Sequence, residues 1–107
     1  RDYRKHYKLL PKTITMRVID EIDKAGYKIT VFKHEEKISI KLEKDLLEQT
    51  YKFRSGSLVD NLASATHFVD LLLANQIDKS FESMSLNRHK TLEEMVQQKP
   101  EDFPNII

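Results

Sequence analysis

YKITVFKHEEKISIKLEKDLLEQTYKFR, running from Tyr27 to Arg54, alternates apolar and polar side chains over most of its length. A β-strand turns successive side chains to opposite sides, so this alternation, dense in β-branched and aromatic residues, predicts strands within YKITVF, KISIKL and TYKF. HEEK joins the first to the second and EKDL the second to the third. Joints this short make neighbouring antiparallel strands, a three-stranded meander, the economical topology.

One side of that meander is apolar: Tyr27, Ile29 and Val31, then Ile38, Ile40 and Leu42, then Leu47, Tyr51 and Phe53. The other takes Lys28, Thr30, Phe32, His34, Lys37, Ser39, Lys41, Glu43, Glu48, Thr50, Lys52 and Arg54. Five cations, Lys28, Lys37, Lys41, Lys52 and Arg54, face two carboxylates, Glu43 and Glu48, with one phenylalanine among them. Such a side could lie along a phosphate backbone, with Lys28, Lys41, Lys52 and Arg54 neutralising charge and Phe32 stacking on an unpaired base. Lysine and threonine also populate the wet side of any half-buried sheet, where glutamates pair with the lysines.

Upstream, Ile14, Val18, Ile19, Ile22 and Ala25 recur at helical spacing, a threonine is available as N-cap, and Gly26 offers a left-handed C-cap, so a three-turn helix is expected from Thr13 or Thr15. Before it RDYRKHYKLLPK, residues 1–12, reads as a basic arm ended by Pro11. Downstream, Ser57 with Asp60 suggests a capping box. From there a long helix is expected, with Leu58, Val59, Leu62, Ala65, Val69, Leu72, Leu73, Ile77, Phe81 and Met84 on its broad buried side. Phe68 lies at the margin and Leu71 points away, so Phe68, Leu71, Leu72 and Asn75 form an exposed ridge suited to the same helix of a second subunit or to a protein partner. Thr91 with Glu94 opens a short helix, TLEEMVQQK, closed by Pro100; the tail EDFPNII carries Phe103, Ile106 and Ile107.

The chain has 107 residues, within the size of one ordinary domain. Its hydrophobic content of 39% against 33% charged residues predicts a small core under a heavily charged surface. Lys and Arg total 18 against 17 acidic residues, a net charge of +1, so no global field announces an anionic partner. There is no cysteine, hence no disulfide, thiolate nucleophile or cysteine-bound metal. No apolar run approaches the roughly 20 residues of a membrane span. No signal peptide precedes Arg1, whose place at the start is expected of a trimmed or processed chain from which a leader could have been removed, and a cytoplasmic protein with no membrane association is the default.

Chemistry is thinly represented. Gly26 and Gly56 are the two glycines, too few for a phosphate-cradling loop or a dinucleotide fingerprint. His6, His34, His67 and His89 fall in four separate segments; His67 and Asp70 lie three apart on the long helix but lack further ligands. No nucleophile and base stand in recognisable relation, so no catalytic residue, cofactor or metal is expected.

The expected architecture is α+β in the order α-β-β-β-α: a three-stranded antiparallel meander packed by a short and a long helix. The basic arm over 1–12 precedes the core over 13–84, and a helical C-terminal extension follows over 85–107. Double-stranded-RNA-binding domains have this element order. Their Gly-Pro-rich first hairpin and Lys-rich second-helix start are here HEEK and SLVDNLASA, so the likeness is one of order alone and implies no function. The functional expectation is a non-enzymatic protein-interaction module that self-associates as a homodimer through the long helix; the alternative is a nucleic-acid-binding domain using the sheet and the arm.

Overall fold

The computed structural model describes residues 16–98. The basic arm, the start of the expected first helix, and the tail with Phe103, Ile106 and Ile107 lie outside the described residues. The class is α+β as expected, but the order is four strands and then two helices. Strands β1 (Arg17–Lys24), β2 (Tyr27–His34), β3 (Lys37–Lys44) and β4 (Leu47–Lys52) form one antiparallel sheet in sequence order. Three two-residue turns, at 25–26, 35–36 and 45–46, connect them at a regular spacing of ten residues.

The segment expected to be the first helix is therefore the first strand. Its misleading feature is a β-bulge: Val18 pairs with Phe32 and Asp20 with Val31, so Ile19 is an extra residue on β1. The bulge breaks the two-residue alternation and leaves Val18, Ile19 and Ile22 at intervals that imitate a helical stripe. The Asp20 carboxylate accepts a hydrogen bond from the Glu21 amide at 2.9 Å beside it. Gly26 has φ 85, which suits the second central residue of a hairpin turn as well as the end of a helix. Ala25, before it, has φ 55, completing the positive pair that a type I′ turn requires. Asp45 and Leu46 repeat that geometry at φ 54 and φ 63 without a glycine, and Glu35 stands at φ 58.

The apolar side expected for β2 and β3 is the core: Ile29, Val31, Ile40 and Leu42 are fully buried, with Tyr27 and Ile38 almost so. Leu47, Tyr51 and Phe53 lie on this same side of the sheet and are half-buried. The Phe53 amide donates to the Ile38 carbonyl at 2.9 Å, extending the pairing one residue past β4.

Helix α1 (Leu62–Ala74) covers that side. Ala65 and Val69 are its buried residues, and Val59 on the approach is buried as well. Its Phe68 ring meets Phe53 edge-on at 5.0 Å and Tyr51 at 5.4 Å. Such arrangements contribute about 0.5–1.5 kcal/mol beyond the area they bury. At one end the Lys24 ammonium reaches Asp70 at 2.8 Å.

The capping box lies four residues later than Ser57 and Asp60. Asn61 is the N-cap: its Oδ1 accepts from the Ser64 amide at 2.8 Å, and Ser64 Oγ accepts from the Asn61 amide at 3.1 Å. Ser57 instead folds onto its own loop, its Oγ donating to the Val59 carbonyl.

The expected long helix is two helices. Asn75 turns its amide to Leu72, three residues back, with backbone angles φ −99 and ψ −124 that end α1. The chain divides into two compact units between Asn75 and Gln76. In the second unit, α2 (Ile77–Gln97) runs unbroken through the stretch expected to separate two helices, because no proline or glycine interrupts it. Thr91, expected to be an N-cap, instead donates its hydroxyl to the Asn87 carbonyl at 2.7 Å inside the helix. The last turns of α2 leave Leu92, Met95 and Val96 exposed.

Candidate functional site

The side of the sheet away from α1 is the surface to which the alternating pattern points. Cross-strand partners share a side, so the register lays it out in rows. The first row is Asp23, Lys28, Glu43 and Glu48; the second is Glu21, Thr30, Lys41 and Thr50; the third is Val18, Phe32, Ser39 and Lys52. Beyond them His34 pairs with Lys37. Arg54, exposed, follows Lys52 by two residues.

This layout revises the charge of the surface. The unexpected strand, β1, adds Glu21 and Asp23, so Lys28, Lys37, Lys41, Lys52 and Arg54 are opposed by Glu21, Asp23, Glu43 and Glu48. Their distribution is uneven: three carboxylates and one lysine occupy the first row, while Lys52, Lys37 and Arg54 lie toward the opposite end. The surface is divided, acidic at one end and basic at the other.

The residues expected to read a phosphate backbone have separate circumstances. Lys28 sits in register between Asp23 and Glu43. The Lys41 ammonium is 3.6 Å from Glu43 and 5.6 Å from the centre of the Phe32 ring, which it covers. Phe32 is half-buried, whereas Lys52 and Arg54 are exposed. Thr30, in the middle of the sheet, is only 5% exposed.

An apolar pair lies at the β1 edge of the same side: Val18, 47% exposed, stands opposite half-buried Phe32, and the row continues as Ser39 and Lys52. Glu43 and Glu48 are direct cross-strand partners, and like charges so placed repel each other. Glu48 makes no ion pair among the described residues. Shallow depressions at the ends of the β1–β2 and β3–β4 hairpins both include Glu43 in their lining.

The expected ridge on the helix is differently composed. Phe68 faces the sheet in the cluster with Tyr51 and Phe53, leaving Leu71 exposed, Leu72 half-buried and Asn75 as the C-cap. His67 and Asp70 are exposed, with Asp70 engaged by Lys24. Among the described residues no three His, Asp or Glu side chains are grouped to hold a metal ion. No described helix is long and apolar enough to cross a membrane.

Sequence reasoning missed Glu21 and Asp23 because it placed them on a helix. Their signal was the spacing of the turns: Ala25 and Gly26 stand ten residues before Glu35 and Glu36, which stand ten before Asp45 and Leu46. Compared with protein-family models, curated proteins and solved structures, the chain has no match.

Proposed function

We propose that this protein is a non-enzymatic interaction module that pairs with a second copy of itself, through the side of the sheet that α1 leaves in solvent. The supporting observation is exposed Val18 paired with half-buried Phe32, an apolar pair on a side otherwise lined by charged and polar residues. Exposed apolar groups rimmed by polar ones are characteristic of protein contact surfaces. The helix route is less favoured, since Phe68 is engaged by Tyr51 and Phe53 rather than joining exposed Leu71 in a ridge.

Sedimentation velocity over a concentration series tests the reading. A reversible monomer–dimer equilibrium is expected, weakened when Val18→Glu places a charge in that pair; a monomer at every concentration refutes it. Nucleic-acid binding is the second reading, favoured by Phe32 beside the basic end with Lys52 and Arg54. It predicts salt-dependent capture of a labelled single-stranded oligonucleotide, lost on reversal of Lys52 and Arg54.

A further inference from the structure

The division of charge on the open side of the sheet fixes how two copies can meet. We propose that this side docks onto the same side of a second copy about a two-fold axis lying in the interface and running across the strands. The Asp23, Glu43 and Glu48 end of each copy then meets the Lys37, Lys52 and Arg54 end of the other. The inference rests on the self-association reading above and specifies its geometry.

Symmetry narrows the alternatives. A face-to-face pair with its axis parallel to the strands superposes each row on the same row of the partner, so acidic end lies over acidic end and basic over basic. Turning the axis across the strands inverts the order of rows and brings opposite charges together. Both arrangements are isologous, but only the second is electrostatically complementary. Between the charged ends the two middle rows also hold Glu21 and Lys41, but on β2 Thr30 of each copy faces Phe32 of the other and on β3 Lys41 faces Ser39, so the sheets approach most closely over these central strands.

The acidic end also has an unfavourable contact within one copy. Glu43 and Glu48 oppose each other directly, and such pairs cost a few tenths of a kcal/mol up to about 1 kcal/mol. Lys41 lies 3.6 Å from Glu43, whereas Glu48 has no cation paired with it among the described residues. A lysine or arginine from the partner's basic end supplies that cation, and the hairpin-end depressions beside Glu43 give its side chain room.

The area suffices for a weak dimer. Strands about 4.8 Å apart, rising about 3.3 Å per residue, make this side roughly 19 Å by 26 Å, or roughly 1,000 Å² for the pair of faces. That is the lower limit for a specific interface, so a concentration- and salt-sensitive dimer is expected.

Two double variants at exposed positions test the geometry. Lys37→Glu with Lys52→Glu makes both ends acidic; Asp23→Lys with Glu48→Lys makes both ends basic. Each alone is expected to dimerise about tenfold or more weakly than the wild type, while an equimolar mixture of the two forms a heterodimer, because every end-to-end contact is again between opposite charges. Sedimentation velocity reads the species, and circular dichroism confirms that each variant is folded. A wild-type dimer that persists in both variants overturns the proposed geometry and leaves self-association standing, as does a mixture that fails to associate. A wild-type chain that is monomeric throughout overturns both readings, and if it binds a labelled oligonucleotide that the Lys37→Glu, Lys52→Glu variant does not, the surface belongs to nucleic acid.

Discussion

Replacing Leu46 with glycine should stabilise this protein, even though it removes a large apolar side chain. Leu46 has φ 63 and follows Asp45 at φ 54, while its own side chain is 98% exposed. Left-handed backbone costs a residue with a Cβ about 1–2 kcal/mol, a cost that glycine avoids. Glycine's greater freedom in the unfolded chain takes back roughly 0.5–1 kcal/mol. The net expectation is a gain of about 0.5–1 kcal/mol, or a Tm higher by roughly 2–8 °C for a domain of this size. The β1–β2 turn provides the converse. An added Cβ at Gly26, φ 85, would meet only the end of the Lys44 side chain, at 3.9 Å, so Gly26→Ala is a purely conformational penalty of about 1 kcal/mol. Denaturant unfolding followed by circular dichroism, at one fixed protein concentration because association adds apparent stability, measures both. Leu46→Ala separates the causes: it removes the exposed side chain but keeps the Cβ, and should leave the midpoint almost unchanged. If Leu46→Ala stabilises as much as Leu46→Gly, the gain came from removing an apolar surface group and the backbone argument is wrong.

Phe68→Ala should destabilise by about 2–4 kcal/mol, toward the lower part of the usual range for phenylalanine because the residue is half-buried; a change under about 1 kcal/mol in urea unfolding would mean the cluster with Tyr51 and Phe53 contributes little. Asn61→Ala should cost about 1 kcal/mol and Ser57→Ala clearly less, since the reciprocal cap uses Asn61 and Ser64; the reverse ranking would place the helix start at Ser57. Lys24→Ala should shift stability by no more than about 0.5 kcal/mol, because its bridge to Asp70 joins side chains 54% and 49% exposed, and a thermal melt lowered by many degrees would contradict that.

The alternation from Tyr27 to Arg54 was a dependable guide because its residues obey one constraint, burial on one side of a sheet. Ile29, Val31, Ile40 and Leu42 went to the core and Lys28, Lys41 and Lys52 to the other side, in agreement with the pattern. Ile19 defeated the same reasoning one strand earlier, since a single extra residue shifts the phase of the residues on either side of it. Gly26 could not arbitrate, as a positive φ is demanded by both helix ends and hairpin turns. Asn75 and Gln76 broke the long helix without proline or glycine, and the expected stripe continued across the break, so nothing in the spacing marked it. The candidate surface was legible in its central and downstream strands; the carboxylates of Glu21 and Asp23 that alter its charge came from the misread strand.

The bulge at Ile19 has a consequence for assembly. Among the described residues β1 is an edge of the sheet, and an edge with a regular ladder of unpaired amides and carbonyls templates further strands without limit. The extra residue interrupts that ladder and increases the local twist, so the edge that would otherwise recruit another chain is an imperfect template. On the two-fold arrangement proposed above, the bulge would weaken sideways growth at this edge, leaving β4 as the regular edge among the described residues. Deleting Ile19 would straighten the edge, and the expected cost is not a lost contact but a solution that scatters light.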